Sequence, residues 1–153
     1  MGWELTIRGN SSTAPQALGA RQTVCEHFEV RLPGLKLDPW PQAFAEHMKA
    51  KLAALGVLCV PRLEGNYDAG DLSIEFSCAD AETILEMSAN VRGNGNPLPA
   101  LRALCAGTSW VVIEDATGNS VLGSVEAIDA WNRFKEWRDR SVSKVSKRGG
   151  REA

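Results

Sequence analysis

Polar and apolar residues alternate over Trp3–Arg8, with Trp3, Leu5 and Ile7 on one side and Glu4, Thr6 and Arg8 on the other. That period of two predicts a half-buried strand. It recurs over Asp71–Cys78, where Leu72, Ile74, Phe76 and Cys78 share a face, and Trp110–Glu114 reads as a strongly apolar strand. Further strands are read over Thr23–Leu32, with Val24, Phe28, Val30 and Leu32 inward, over Val57–Val60, and over Ser120–Leu122. A helical period marks Trp40, Phe44, Met48, Leu52 and Leu55. Asp38 is placed to cap that helix, Pro39 to enter its first turn, and Gly56 to close it in the left-handed conformation. Three more helices follow: Asp80 to Val91 through Ile84, Leu85, Met87 and Val91; Pro97 to Cys105 through Leu98, Leu101 and Leu104; and one capped by Ser124. On the last, Ile128, Trp131, Phe134 and Trp137 recur every third residue, so its apolar stripe drifts around the axis.

Turn-forming residues separate these segments at Gly9–Gly19, Glu64–Gly70, Gly93–Asn96 and Asp115–Asn119. The order β-β-α-β-β-α-α-β-β-α, with hairpins at 57–78 and 110–122, predicts an α+β fold. Its expected form is a largely antiparallel sheet of about five or six strands, with about three or four helices packed mainly on one face. Residues 1–140 are expected to form one domain. Residues 141–153 are too polar to build a core and are expected to be a basic, disordered tail.

Charge changes the picture more than composition does. The first 130 residues carry nine Lys and Arg against sixteen Asp and Glu, and the last 23 carry eight against three, so a near-neutral total of −2 conceals an acidic body and a basic end. Such asymmetry points to an electrostatic partner. No apolar run reaches the roughly 18 residues of a membrane span. Residues Met1–Arg8 lack the basic and apolar regions of a signal peptide. With Cys25, Cys59, Cys78 and Cys105 dispersed among apolar and small neighbours, reduced thiols and a cytoplasmic location are expected.

The candidate chemistry is sparse. His27 and His47 are the only histidines, and no ligand spacing surrounds them or the Cys25-Glu26-His27 triplet, so neither a metal nor a cofactor is expected. No nucleophile elbow occurs, and no catalytic residue is assigned. Three readings follow. The first is a non-catalytic protein-binding module whose acidic surface, with Glu64, Asp68 and Asp71 as contacts, meets a basic protein partner. Small acidic proteins of the toxin-immunity or phage-inhibitor type share this physical description, although no motif here carries a family resemblance. The second is a small enzyme or anionic-ligand-binding domain using the bend Arg92, Gly93, Asn94, Gly95 and Asn96 ahead of a helix N-terminus. The third is nucleic-acid association through Lys144, Lys147, Arg148 and Arg151.

Overall fold

The alternation in Trp3–Gly9 (β1) and Leu72–Ala79 (β5) becomes alternate burial in the computed structural model. That model describes residues 2–10, 16–122 and 127–152, the side chains of 127 and 142–152 excepted. Trp3, Leu5 and Ile7 face inward from β1, Leu72, Ile74, Phe76 and Cys78 from β5, and Met87, Ala89 and Val91 from Glu86–Gly93 (β7). Arg62–Asp68 (β4), Trp110–Glu114 (β8) and the two-residue Asp38–Pro39 (β3) complete a six-stranded sheet. Its order is β3-β4-β5-β7-β1-β8, antiparallel at every step. Gly19–Ala20 (β2) and Thr83–Ile84 (β6) form a separate two-stranded ribbon.

One face of the sheet carries three of the four described helices. From Arg21–Arg31 (α1), Phe28 meets Phe76 edge-to-face at 5.3 Å between centroids and lies tilted on Trp110 at 5.6 Å. From Leu98–Cys105 (α3), Leu98, Leu101 and Leu104 join the same core. From Ala127–Glu152 (α4), Trp131 packs on Trp3 at 5.3 Å. The fold is α+β, as the pattern predicts.

Several local readings are corrected. Thr23–Leu32 is not a strand; it lies mostly within α1. Val24 and Phe28 are four residues apart, which puts them on one helical face as well as on one strand parity, and the Gln22 amide donates to Glu26 one turn on at 3.1 Å. Val30, inward on a strand, is 75% exposed on the helix. Asp80–Val91 is not a helix either. Met87, Ala89 and Val91 alternate with Glu86, Ser88, Asn90 and Arg92, and the small Ala89 disguises the period of two. Finally, Val57–Val60 forms no strand. The Gly56 amide donates to Ala53 O at 3.0 Å and the Val57 amide to Leu52 O at 2.9 Å, a Schellman closure with Gly56 at φ +72°. Beyond it, Leu58, Cys59 and Val60 make no backbone–backbone hydrogen bond among the described residues. After β8, the Ile113–Ser120 bridge and the Val121 amide to Val112 O at 2.8 Å turn the chain back without forming a further strand.

The helix Gln42–Ala54 (α2) starts later than expected, because Asp38–Pro39 pairs with Glu64 and Leu63 as β3. It buries none of its residues, so α2 and the following segment form an arm. Along it Leu55 is 71% and Leu58 86% exposed, and Trp40 packs edge-to-face on Phe44 at 5.0 Å. The bounds of α4 run through 141–152, the stretch read from sequence as a disordered tail. The side chains of Lys144, Lys147, Arg148 and Arg151, and the Ser124 cap, lie outside the described residues.

Candidate functional site

Because the helices gather on one side, the outward positions of the strands form a polar face that no described helix covers. The register aligns Glu64, Asn66 and Asp68 of β4 with Ser77, Glu75 and Ser73 of β5, then with Ser88, Asn90 and Arg92 of β7, then with Glu4 and Thr6 of β1. None of these residues is buried. With Glu86, Arg8 and Arg62 from the same strands and Asp115 at the end of β8, the face carries six carboxylates and three guanidinium groups. Two of the latter are engaged: Arg62 Nε donates to Ser77 Oγ at 2.7 Å, and Arg92 lies 4.0 Å from Glu75. A shallow groove of about 330 Å³ crosses this face, lined by Glu4, Arg62, Glu64, Glu75, Asn90 and Asp115.

At the rim the groove meets a second concavity. Glu4 and Asp115 also line a cleft of about 690 Å³ built where β1 starts, β8 ends and α4 crosses, together with Trp3, Glu114, Phe134 and Trp137. The aromatic wall is continuous. Phe134 stacks on Trp131 and lies tilted against Trp137, at 5.8 Å from each, and Trp137 is 50% exposed. The carboxylates are held in place. Trp3 Nε1 and Thr117 Oγ1 donate to Glu114, the latter at 2.8 Å, and Thr6 Oγ1 donates to Asp115 at 2.7 Å. Sequence reasoning misses this cleft, because its members come from three distant segments whose meeting depends on strand order. The only sequence signal is Trp137, which the drifting stripe of α4 carries toward the solvent.

The structure separates the three acidic candidates. Glu64 and Asp68 share the outer face, with Asp68 Oδ1 accepting the Gly70 amide at 2.8 Å in the turn to β5. Asp71 instead meets the glycine bend. Its carbonyl accepts the Asn94 and Gly95 amides at 2.9 and 3.0 Å, and Gly93, at φ +101°, leaves so little room that a Cβ would lie 2.5 Å from that same oxygen. Two features read separately in the sequence are thus one joint, and the amides suited to an anion are spent within the chain. Arg92 stays on the sheet face, and Asn96 Oδ1 accepts the Leu98 amide at 3.0 Å at the start of α3.

The bend presents its carbonyls to α4. Trp131 Nε1 donates to Gly95 O at 2.9 Å, Arg138 Nη1 to Gly93 O and Nη2 to Asn94 Oδ1 at 2.7 Å each, and Lys135 Nζ to Asn94 O at 3.4 Å. Part of the basic end therefore folds back onto the body as a clamp. Lys135 and Arg138, counted in the sequence as free cationic surface, serve this joint.

The histidines and cysteines form no reactive pair. The ring Nε2 of His27 lies 2.6 Å from Leu104 O and the ring packs on Trp110 at 4.7 Å, while His47 is exposed on α2. All four cysteines are free, and among the described residues no three His, Cys, Asp or Glu side chains group as metal ligands. Burial pushes the Cys78 and Cys105 thiols up to about 11, and burial raises Cys25 as well. Above the ordinary thiol value of 9.0, the unfolded chain then releases protons that the folded chain keeps, so stability falls as pH rises from about 9 through 11. Urea midpoints measured on both sides of that window are expected to drop less for Cys78→Ala than for the parent chain. An equal drop would remove this thiol from the account.

No family model, curated protein or solved structure matches the chain. Among the described residues, no helix is long and apolar enough to cross a membrane.

Proposed function

We propose that this protein is a non-catalytic binding module that docks a basic protein partner along the acidic outer face of its sheet. The observation that carries this reading is the continuity of that surface. Glu64 and Glu75 lead along the groove to Glu4 and Asp115, which open into the aromatic cleft with Glu114. A recessed surface with six carboxylates against three guanidinium groups is net negative, and such a field speeds association with an oppositely charged protein and orients it. The exposed apolar arm around Leu55 and Leu58 supports a protein rather than a small-molecule partner. The unpaired thiols support a cytoplasmic setting. The biological form that best suits such a module is neutralisation of a basic toxin or enzyme. The anion-binding reading draws less support, because the Asn94 and Gly95 amides are committed to contacts inside the chain, as are Lys135 and Arg138 of the basic end.

The test is affinity capture from the native host with the parent chain and with Glu64→Lys/Asp68→Lys/Glu75→Lys. All three positions are exposed, so the fold is expected to survive the reversal. The parent is expected to retain one stoichiometric basic protein that elutes with salt, and the variant at least tenfold less of it. Equal retention of the same protein by both chains would overturn the reading.

A further inference from the structure

Resting on the binding-module reading, we propose that the cleft between Trp3, Asp115 and Trp137 is a socket for one arginine side chain of the partner. The chemistry is set by what the walls offer. Phe134 and the half-exposed Trp137 present aromatic surface, and three carboxylates, Glu4, Glu114 and Asp115, edge the same space of about 690 Å³. No lysine or arginine among the described residues forms an ion pair with any of the three. Among the described residues lining the cleft the one cation is Arg133, which leaves the three carboxylates in excess.

Hydrogen bonds fix the acceptors without exhausting them. Glu114 is held by Trp3 and Thr117 and Asp115 by Thr6. Asp115 Oδ2 and both oxygens of Glu4 accept no hydrogen bond from a described residue, and every carboxylate oxygen has a second lone pair to offer. A ligand that uses both walls must be flat, cationic and rich in N–H groups. The guanidinium group meets all three demands: its faces stack on indole while its edge donates in parallel to carboxylates. An ammonium group, a point charge with a strong hydration shell, uses the aromatic wall less well. A metal ion is a poorer fit, since the carboxylates do not converge as a ligand group.

The full-length protein, labelled with 15N, is titrated with N-acetyl-arginine amide, its neutral isostere N-acetyl-citrulline amide, and N-acetyl-lysine amide. The indole N–H signals of Trp3 and Trp137 are expected to move with the arginine compound. Citrulline is expected to bind roughly tenfold more weakly or worse, and lysine to fall between. Trp137→Ala removes one wall, and Glu114→Gln/Asp115→Asn removes charge while keeping shape. Each is expected to weaken arginine binding at least tenfold. Equal response to citrulline, shifts confined to residues outside the cleft, or no shift at all would overturn the socket. The outcome is separable from the parent reading. Capture of a basic partner that the sheet-face charge reversal abolishes, without an arginine-selective shift, retires the socket and keeps the module. Arginine-selective shifts with no captured partner keep the cleft as a guanidinium-binding site and retire the basic protein partner.

Discussion

Trp131→Ala is expected to cost about 3–5 kcal/mol and to release α4 from the sheet. The side chain is fully buried, packs on Trp3 at 5.3 Å and on Phe134 at 5.8 Å, and donates its indole N–H to Gly95 O at 2.9 Å. Truncation therefore opens a cavity beside β1 and strands a carbonyl of the glycine bend. Among the described residues, no other side chain of the helix is fully buried. Ile128, Ala130 and Phe134 are only half-buried, and Lys135 and Arg138 add polar contacts to the same bend. With total stabilities of about 5–15 kcal/mol for domains in general, such a loss is a large fraction of the whole. Trp131→Phe separates the two contributions, because it keeps an aromatic ring and deletes the donor. It is expected to cost about 1–3 kcal/mol, chiefly through the unsatisfied Gly95 carbonyl. Urea unfolding gives the stability, and amide exchange at Gly93 through Asn96 reports whether the bend loosens. A Trp131→Ala chain with an unchanged midpoint would mean that α4 is not anchored here.

That anchoring also explains why the charge separation, the plainest feature of the sequence, translates only in part into surface. Arg138 and Lys135 belong to the basic end when residues are counted, yet both reach back to carbonyls of residues 93 and 94. Nothing near Arg138 in the sequence shows that partner. Legibility follows the range over which the determining contacts act. β1 and β5 are legible because their alternation is complete, and α3 because Pro97 and the Leu98–Leu101–Leu104 spacing are local signals. β7 and Val57–Val60 are misread in opposite directions, since strand formation needs a neighbour. β7 has neighbours on both sides, whereas Leu58 to Val60 have none among the described residues. The candidate site divides in the same way. Glu64 and Asp68 are legible as exposed acids, but their alignment with Glu75, Glu4 and Asp115 is a property of strand register.

The segment around α1 gives the sharpest test of this argument, because one pattern suits two structures with different cores. On a strand, Val24, Phe28 and Val30 would point the same way. On the observed helix, Val24 and Phe28 are buried and Val30 faces water. Phe28→Ala is expected to cost about 3–5 kcal/mol, since the ring is fully buried and removes contacts with Phe76 and Trp110 together. Val30→Asp is expected to change stability by no more than about 0.5 kcal/mol, as exposed substitutions do. Thermal or urea unfolding of the two variants measures both. A Val30→Asp chain as damaged as Phe28→Ala would return the segment to the sheet, and with it would go the one-sided helical layer that leaves the acidic face open.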